Sequence, residues 1–192
     1  MGKQLFLILS VLLLTGCGEQ TWRTTDISGA MPELNFNLTD EHGHAVTADD
    51  YRGKSTLLFF GFTNCPDVCP TTLAQLAGAV KLLSEDVRKD LQVLFVSVDP
   101  ARDDPATLRR YTDVFGPRFI GLTGDRAALD ALTGRYSTTY SYGEKDESGN
   151  YDVSHSSAVF AFNREGDVRL LIRASDPVEA VAEDLRQLSQ DS

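Results

Sequence analysis

The chain has 192 residues, of which 42% are hydrophobic, and this is enough for one domain with a substantial apolar core. Its 18 basic and 28 acidic residues give a formal net charge of −10, which argues against a nucleic-acid partner because such partners require basic patches. No stretch after residue 16 is apolar over enough residues to span a bilayer.

The first 16 residues have the features of a secretory signal peptide. Lys3 supplies a positive charge, residues 5–14 form an apolar stretch, and two small residues precede Cys17. The sequence Leu-Thr-Gly-Cys that ends at Cys17 resembles the lipobox of bacterial lipoproteins, in which cleavage leaves the cysteine as a lipidated first residue. The alternative is an ordinary signal peptide in which a cysteine stands at this position by chance.

These features predict a signal peptide over 1–16, a lipidated tether over 17–30 and a folded domain over 31–192. Residues 18–30 are polar and show no sustained period, which is typical of a tether. We expect a lipid on Cys17 to anchor the domain to a membrane. The predicted location is the bacterial cell envelope, with the domain facing the periplasm.

The first part of the domain predicts a hairpin followed by a buried strand. Apolar and polar residues alternate over 34–38 before the turn 40–43, which indicates a β-hairpin. Residues 57–60 are Leu-Leu-Phe-Phe, a continuous apolar run of the kind shown by a strand buried on both faces. His42 and His44 lie in the predicted hairpin turn, and we interpret both as solvated turn residues.

Helical and extended patterns then alternate to the end of the chain. They predict helices after Cys69, from Pro105, after Asp125 and after Asp176, and strands at 91–98, 119–122, 157–162 and 168–174. Residues 137–154 are rich in Tyr, Gly, Ser and charge, which indicates an insertion folded as a loose hairpin. This order predicts an α/β, thioredoxin-like fold with an N-terminal β-hairpin and an insertion before the last two strands.

Two cysteines, Cys65 and Cys69, follow the first buried strand, and each is followed by proline. The order of strand, turn, cysteines and helix start places both thiols near helix N-terminal amides, which favour the thiolate over the thiol. The pair would close too short a loop to act as a structural disulfide, so we interpret it as functional. With Cys17 assigned to lipid, no further cysteine remains to pair with either of them.

A third candidate, His155, precedes the penultimate strand. In a thioredoxin-like sheet the loop before that strand lies beside the cysteine loop. Two thiolates and one imidazole suit a soft ion, and Cu(I) needs no fourth ligand, whereas a structural zinc site normally has four protein ligands. By its spacing alone, His155 fits a hydrogen-bonded loop histidine that binds no metal slightly better than a metal ligand.

Four stretches together resemble the Sco/SenC family. They are Gly-Phe-Thr-Asn-Cys-Pro-Asp-Val-Cys-Pro at 61–70, Ser-Val-Asp-Pro at 97–100 with a following Arg-Asp, Phe-Gly-Pro-Arg-Phe-Ile-Gly-Leu-Thr-Gly at 115–124, and His-Ser at 155–156. The resemblance covers about residues 32–189. Members of this family are thioredoxin-like, membrane-tethered copper proteins that help to assemble the CuA centre of cytochrome c oxidase.

The resemblance implies that Cys65, Cys69 and His155 are copper ligands and that Asp99 lies near the site, one layer behind them. It implies one copper ion per chain, as Cu(I) or Cu(II), and a partner that is cytochrome c oxidase subunit II or another copper protein. One departure is Ser154, which precedes the histidine where an acidic residue is common in the family.

Two functions remain open on these residues. One is a copper metallochaperone, which is not an enzyme in the strict sense, and the other is a thiol–disulfide oxidoreductase that acts on the cysteines of a copper-site partner through Cys65 and Cys69. A thiol peroxidase is disfavoured, because that family needs a threonine or serine and a proline at fixed positions before the reactive cysteine, and neither cysteine has them. His155 separates the two functions, since copper binding uses it and disulfide exchange does not.

Overall fold

The structure, a computed structural model, describes residues 21–191. Its main sheet has eight strands, in the spatial order β1 (Thr25–Asp26), β10 (Val168–Ile172), β9 (Val159–Phe162), β4 (Ser55–Gly61), β5 (Leu91–Ser97), β6 (Phe119–Thr123), β2 (Asn37–Asp40) and β3 (Ala45–Thr47). A separate two-stranded sheet pairs β7 (Tyr140–Tyr142) with β8 (Val153–His155). The helices are α1 (Val68–Lys81), α2 (Glu85–Lys89), α3 (Pro105–Thr112), α4 (Arg126–Arg135) and α5 (Val178–Leu188), with a 3-10 helix at Ala48–Tyr51.

The strand β4 lies at the centre of the core, and all seven of its residues are buried. Its side chains alternate between the two faces of the sheet. Leu57 and Phe59 pack in the cluster that includes α1 and α5, whereas Leu58 and Phe60 pack in the cluster that includes α4. The prediction of a strand buried on both faces is therefore confirmed, as is the α/β arrangement of a sheet between helices.

The directions of the central strands place the end of β4 and the beginning of β9 at the same edge of the sheet. β4 runs parallel to β5, and β5 runs parallel to β6, so their carboxyl ends meet at one edge. β9 runs antiparallel to β4, with Val159 opposite Phe59, so the beginning of β9 lies at the same edge as the end of β4. The residues that follow β4 and those that precede β9 are therefore neighbours.

Two of the four predicted helix starts, those of α3 and α4, are confirmed by side-chain caps. The carboxylate of Asp125 accepts the backbone N–H of Ala128 at 2.8 Å, which stabilises the first turn of α4. The prediction that Asp176 caps α5 is wrong, because Pro177 occupies the N-cap position and the Asp176 carboxylate accepts the backbone N–H of Arg173 at 2.8 Å. Asp176 therefore stabilises the turn between β10 and the helix.

The predicted tether is wrong in its described part, because the folded domain begins before residue 31. Strand β1 pairs with β10, and the backbone N–H groups of Arg23 and Thr24 donate to the carboxylate of Asp184 at 2.8 and 2.7 Å. A two-residue edge strand has no detectable period, so the sequence pattern missed it. The predicted signal peptide over 1–16 and Cys17 lie outside the described residues. No helix within 21–191 is both long and apolar enough to cross a membrane.

We predict that Asp184→Ala destabilises the domain. Its carboxylate is fully buried and also accepts the hydroxyl of Thr24 at 2.7 Å, so the change leaves several donors without an acceptor. The expected loss in the free energy of unfolding is about 2–3 kcal/mol, measured by urea denaturation. The control is Glu183→Ala, which removes an exposed partner of Arg186 and should change stability by less than about 0.5 kcal/mol. Equal stability of the two variants would show that Asp184 does not secure the N-terminal segment.

Candidate metal centre

The two cysteines lie where β4 passes into α1. Cys65 is in the connecting loop, where its backbone N–H donates to the carbonyl oxygen of Phe62 at 3.2 Å, and Cys69 is in the first turn of α1. Cys69 is fully buried, whereas Cys65 is partly exposed, and both thiols are free. The pair therefore consists of one partly exposed cysteine and one buried cysteine.

The buried sulfur fits because residue 61 is glycine. A Cβ atom at Gly61 would lie 2.6 Å from Cys69 Sγ and 2.6 Å from the ring of Phe95, closer than real Cβ contacts allow. The sulfur thus rests against the backbone at the end of β4, in the space that a larger residue would fill.

His155 ends β8 and points its imidazole at the cysteines. Its Nε2 lies 3.2 Å from Cys69 Sγ, and its Nδ1 lies 2.9 Å from the carbonyl oxygen of Ser156. Because a carbonyl oxygen only accepts, Nδ1 carries the proton and the lone pair of Nε2 faces the sulfurs. The rings of Phe59 and Phe62 contact the imidazole edge-on, with centroids 6.1 and 5.7 Å away.

The structure thus brings together the three residues that the sequence singled out. Cys65 Sγ, Cys69 Sγ and a ring nitrogen of His155 all lie within 4.8 Å of one another. Among the described residues 21–191, they are the one group of three or more histidine, cysteine or acidic side chains close enough to share a metal ion. Two sulfur donors and one imidazole suit a soft ion such as Cu(I).

The electrostatic environments of the two thiols differ. The backbone N–H of Cys69 donates to Cys65 Sγ at 3.4 Å. Burial raises the pKa of the Cys69 thiol, and the nearby Cys65 and Asp103 act in the same direction. The expectation that the thiolate is favoured at both positions is therefore wrong for Cys69, because desolvation by burial outweighs the backbone hydrogen bond from Phe62.

His155 is suited to metal binding in its neutral form. Burial lowers the pKa of the imidazole, and the carbonyl oxygens of Ser156 and Phe60 oppose this effect without cancelling it. Neutral imidazole is the form that ligates metals. His42 and His44 lie in the turn between β2 and β3, and their backbone N–H groups donate to Asp40 at 2.9 and 2.8 Å.

The side-chain hydrogen bonds of Asp99, which the resemblance places near the site, go to Arg102 and Tyr151 and not to the three candidate ligands. Its fully buried carboxylate accepts hydrogen bonds from Arg102 and, at 2.6 Å, from the hydroxyl of Tyr151. The residue that holds the cysteine loop is Asp103, which accepts the backbone N–H of Thr63 at 2.9 Å. The motif Asp-Pro-Ala-Arg-Asp at 99–103 carries both carboxylates, and only their long-range partners reveal their different roles.

A family model described as SCO1/SenC matches residues 25–190 of the chain. The chain belongs to the SCO1/SenC family. Among curated proteins, mitochondrial SCO2 homolog from Mus musculus is 35% identical over 175 residues, which are 88% of this chain and 69% of that protein. The chain spans 57, 64 and 50% of the length of the corresponding proteins from Bos taurus, Homo sapiens and Danio rerio.

Two solved structures of the family are similar over most of the domain. Bradyrhizobium japonicum ScoI with copper bound has a TM-score of 0.73 and 34% identity, covering 81% of this chain and 98% of that one. Apo Sco1 from Thermus thermophilus has a TM-score of 0.78 and 35% identity, covering 88% of this chain and 97% of that one. These similarities confirm the predicted thioredoxin-like α/β fold and the resemblance to the Sco/SenC family.

We predict that Gly61→Ala disturbs the cysteine site. The added methyl group must displace Cys69 Sγ or the Phe95 ring, and such overpacking costs about 1–3 kcal/mol. The control is Gly134→Ala in α4, where a Cβ atom meets nothing within 4 Å and where alanine should stabilise the helix by about 0.5–1 kcal/mol. Urea denaturation of both variants measures the difference. Similar stability changes in the two would contradict the close contact at Gly61.

Proposed function

We propose that this protein binds one copper ion through Cys65, Cys69 and His155 and serves the assembly of the CuA site of cytochrome c oxidase. The observation that carries the proposal is the convergence of two sulfurs and one imidazole nitrogen within 4.8 Å. Membership of the SCO1/SenC family and the similarity to ScoI with copper bound support it. The copper is cargo, and its recipient is cytochrome c oxidase subunit II or another copper protein.

The protein's own groups define how copper enters. Thiols must lose their protons to become ligands, and the raised pKa of Cys69 means that copper competes with a tightly held proton there. The Nε2 atom of His155 needs no such exchange, because the proton is on Nδ1. Copper binding at this site therefore releases the proton of Cys69.

Exposure defines the side from which a partner approaches. Cys65 and His155 are partly exposed, whereas Cys69 is buried beneath them. A recipient protein that offers its own ligands reaches the ion over Cys65 and His155, and Cys69 is the ligand least accessible to exchange. This arrangement suits a protein that retains copper until a partner with competing ligands is docked.

The second candidate function is thiol–disulfide exchange, which the asymmetry of the two free thiols favours. Cys65, the partly exposed cysteine whose sulfur accepts a backbone N–H, would attack a partner disulfide as the thiolate, form a mixed disulfide and release the partner's other sulfur as a thiolate. The Cys69 thiolate would then attack Cys65 Sγ, which releases the partner as a dithiol and leaves a Cys65–Cys69 disulfide. The partner is reduced by two electrons and this protein is oxidised by two.

Substitutions at the three ligands test the copper function and separate it from disulfide exchange. Cys65→Ser and Cys69→Ser should each abolish the thiolate-to-copper charge-transfer band of the copper-loaded domain, because each removes a sulfur ligand. Loss of a group that only hydrogen-bonds to a metal ligand lowers metal affinity by about tenfold to 100-fold, so His155→Ala, which removes a ligand itself, should lower copper affinity at least that much. The same variant should keep its disulfide-reduction activity. Copper-competition titration and a disulfide-reduction assay on the same samples provide the measurements.

The matched control is His42→Ala, which removes a histidine of the hairpin turn and should leave copper affinity unchanged. Copper affinity that is the same in wild type and His155→Ala would refute the three-ligand site and favour the oxidoreductase. Unchanged copper stoichiometry in either serine variant would end the copper function itself.

We also propose that the mature chain begins at a diacylated Cys17 and is held at a periplasm-facing membrane. The Leu-Thr-Gly-Cys boundary supports this proposal. Six residue steps separate Cys17 from Arg23, so the lipid would hold the folded domain within roughly 22 Å of its attachment point. Intact mass of the membrane-extracted protein should show the lipid increment, and Cys17→Ser should lack it. An unmodified chain with another first residue would exclude this anchor.

A further inference from the structure

The candidate ligand His155 lies at the end of an arm, residues 140–155, whose strands pair with no strand of the main sheet. Strands β7 and β8 pair with each other, with Tyr140 opposite His155 and Tyr142 opposite Val153, and form a sheet of their own. Residues 156–158 connect this hairpin to β9 and fix where the arm begins. How the arm lies against the cysteine loop is left to side-chain contacts.

Arg102 contacts both the arm and the cysteine loop. Its Nη1 donates to the carbonyl oxygen of Tyr151 at 3.0 Å, and its guanidinium carbon lies 3.8 Å from the centroid of the Tyr151 ring. The same carbon lies 5.6 Å from the ring centroid of Phe62, at the beginning of the cysteine loop. The Phe62 ring in turn contacts the imidazole of His155 edge-on.

A buried carboxylate fixes the orientation of this guanidinium. Nε of Arg102 donates to Asp99, whose other oxygen accepts the hydroxyl of Tyr151, so one carboxylate bonds the arginine and the arm together. The hydroxyl of Ser97 accepts the backbone N–H of Asp99 at 3.1 Å and donates to Asp103, which holds Thr63 of the cysteine loop. The segment that follows β5 therefore joins the two ligand-bearing parts of the site.

We propose that Arg102 is a positioning residue that holds the arm of His155 against the two cysteine sulfurs. The inference rests on the proposed copper function and names a residue that acts through His155 without touching the ion. An arm without the planar, forked guanidinium would occupy positions in which Nε2 is too far from the sulfurs to share a metal. The apparent affinity for copper falls in proportion to the fraction of molecules with the arm in place.

The test compares Cu(I) affinity of the wild-type domain and Arg102→Lys by competition titration. Lysine keeps a positive charge beside Asp99 but loses the stacking on Tyr151 and the forked hydrogen bonds. We expect the affinity to fall about tenfold, the lower end of what lost outer groups cost a metal site. The nitrogen hyperfine coupling from His155 in the electron paramagnetic resonance spectrum of the Cu(II) form should weaken. The alkylation rate of the two thiols should stay within about twofold of wild type, because Arg102 is proposed to position the histidine and not the cysteines.

A double variant distinguishes positioning from general stabilisation. If Arg102 acts through His155, Arg102→Lys should cause no further loss of copper affinity in a His155→Ala background. A purely structural role would lower the affinity in both backgrounds. Tyr151→Phe, which removes one hydroxyl, should lower the affinity several-fold and carries the test if Arg102→Lys does not fold. The control is Tyr140→Phe, whose hydroxyl on the same hairpin donates at 2.7 Å to the exposed Asp130 and should matter little.

The outcomes separate this inference from the copper function. Wild-type affinity and hyperfine coupling in both Arg102→Lys and Tyr151→Phe would overturn the role of Arg102 and leave the copper function standing. A further loss of affinity in the His155→Ala background would also overturn it. Failure of the wild-type domain to bind Cu(I) would instead refute the copper function on which the inference rests.

Discussion

The antiparallel pairing of β4 with β9 is the constraint on which the candidate metal site depends. Cys69 and His155 are 86 positions apart in sequence, yet Cys69 Sγ lies 3.2 Å from Nε2 of His155. The register that sets Phe59 opposite Val159 places the end of one strand beside the beginning of the other. Because side chains alternate along a strand, a slip of one residue would turn the residues of β4 to the wrong faces and misalign both ligand segments. The buried apolar run that fixes this register is thus also what assembles the site.

This dependence explains how much the sequence could predict. The apolar run 57–60, the cysteine spacing and a histidine just before a strand all produce local patterns, so the fold and the three candidate ligands were accessible without a structure. Asp184 and Arg102 belong to no local sequence pattern, because their roles consist of contacts with residues far away in the chain. Strand β1 could not be predicted for the same reason, because the two residues that pair with β10 are too few to show a periodic pattern.

The two cysteines also show why a motif does not determine the chemistry of its members. Cys65 lies in the loop before α1 and Cys69 in the first turn of α1, and the backbone N–H of Cys69 donates to Cys65 Sγ at 3.4 Å. Cys69 lies under the loop against Gly61, and the cost of placing charge there raises its pKa. The burial of Cys69 depends on its packing near Gly61 and Phe95, and this packing cannot be read from the spacing of the two cysteines. One motif therefore provides an accessible sulfur and a protected one.

The three ligands are held with unequal firmness, and this bears on how a carrier releases its cargo. Moving Cys69 would require a shift of the first turn of α1, whose Leu73 and Leu76 are fully buried in the core. Moving His155 breaks no hydrogen bond of the main sheet, because its hairpin is attached through tyrosines, Arg102 and a short connection to β9. Local opening is least costly where backbone pairing with the core is absent. In the proposed copper-bound form, displacement of the histidine arm would therefore be the least costly way to open a coordination position, with Cys65 and Cys69 left to hold the ion.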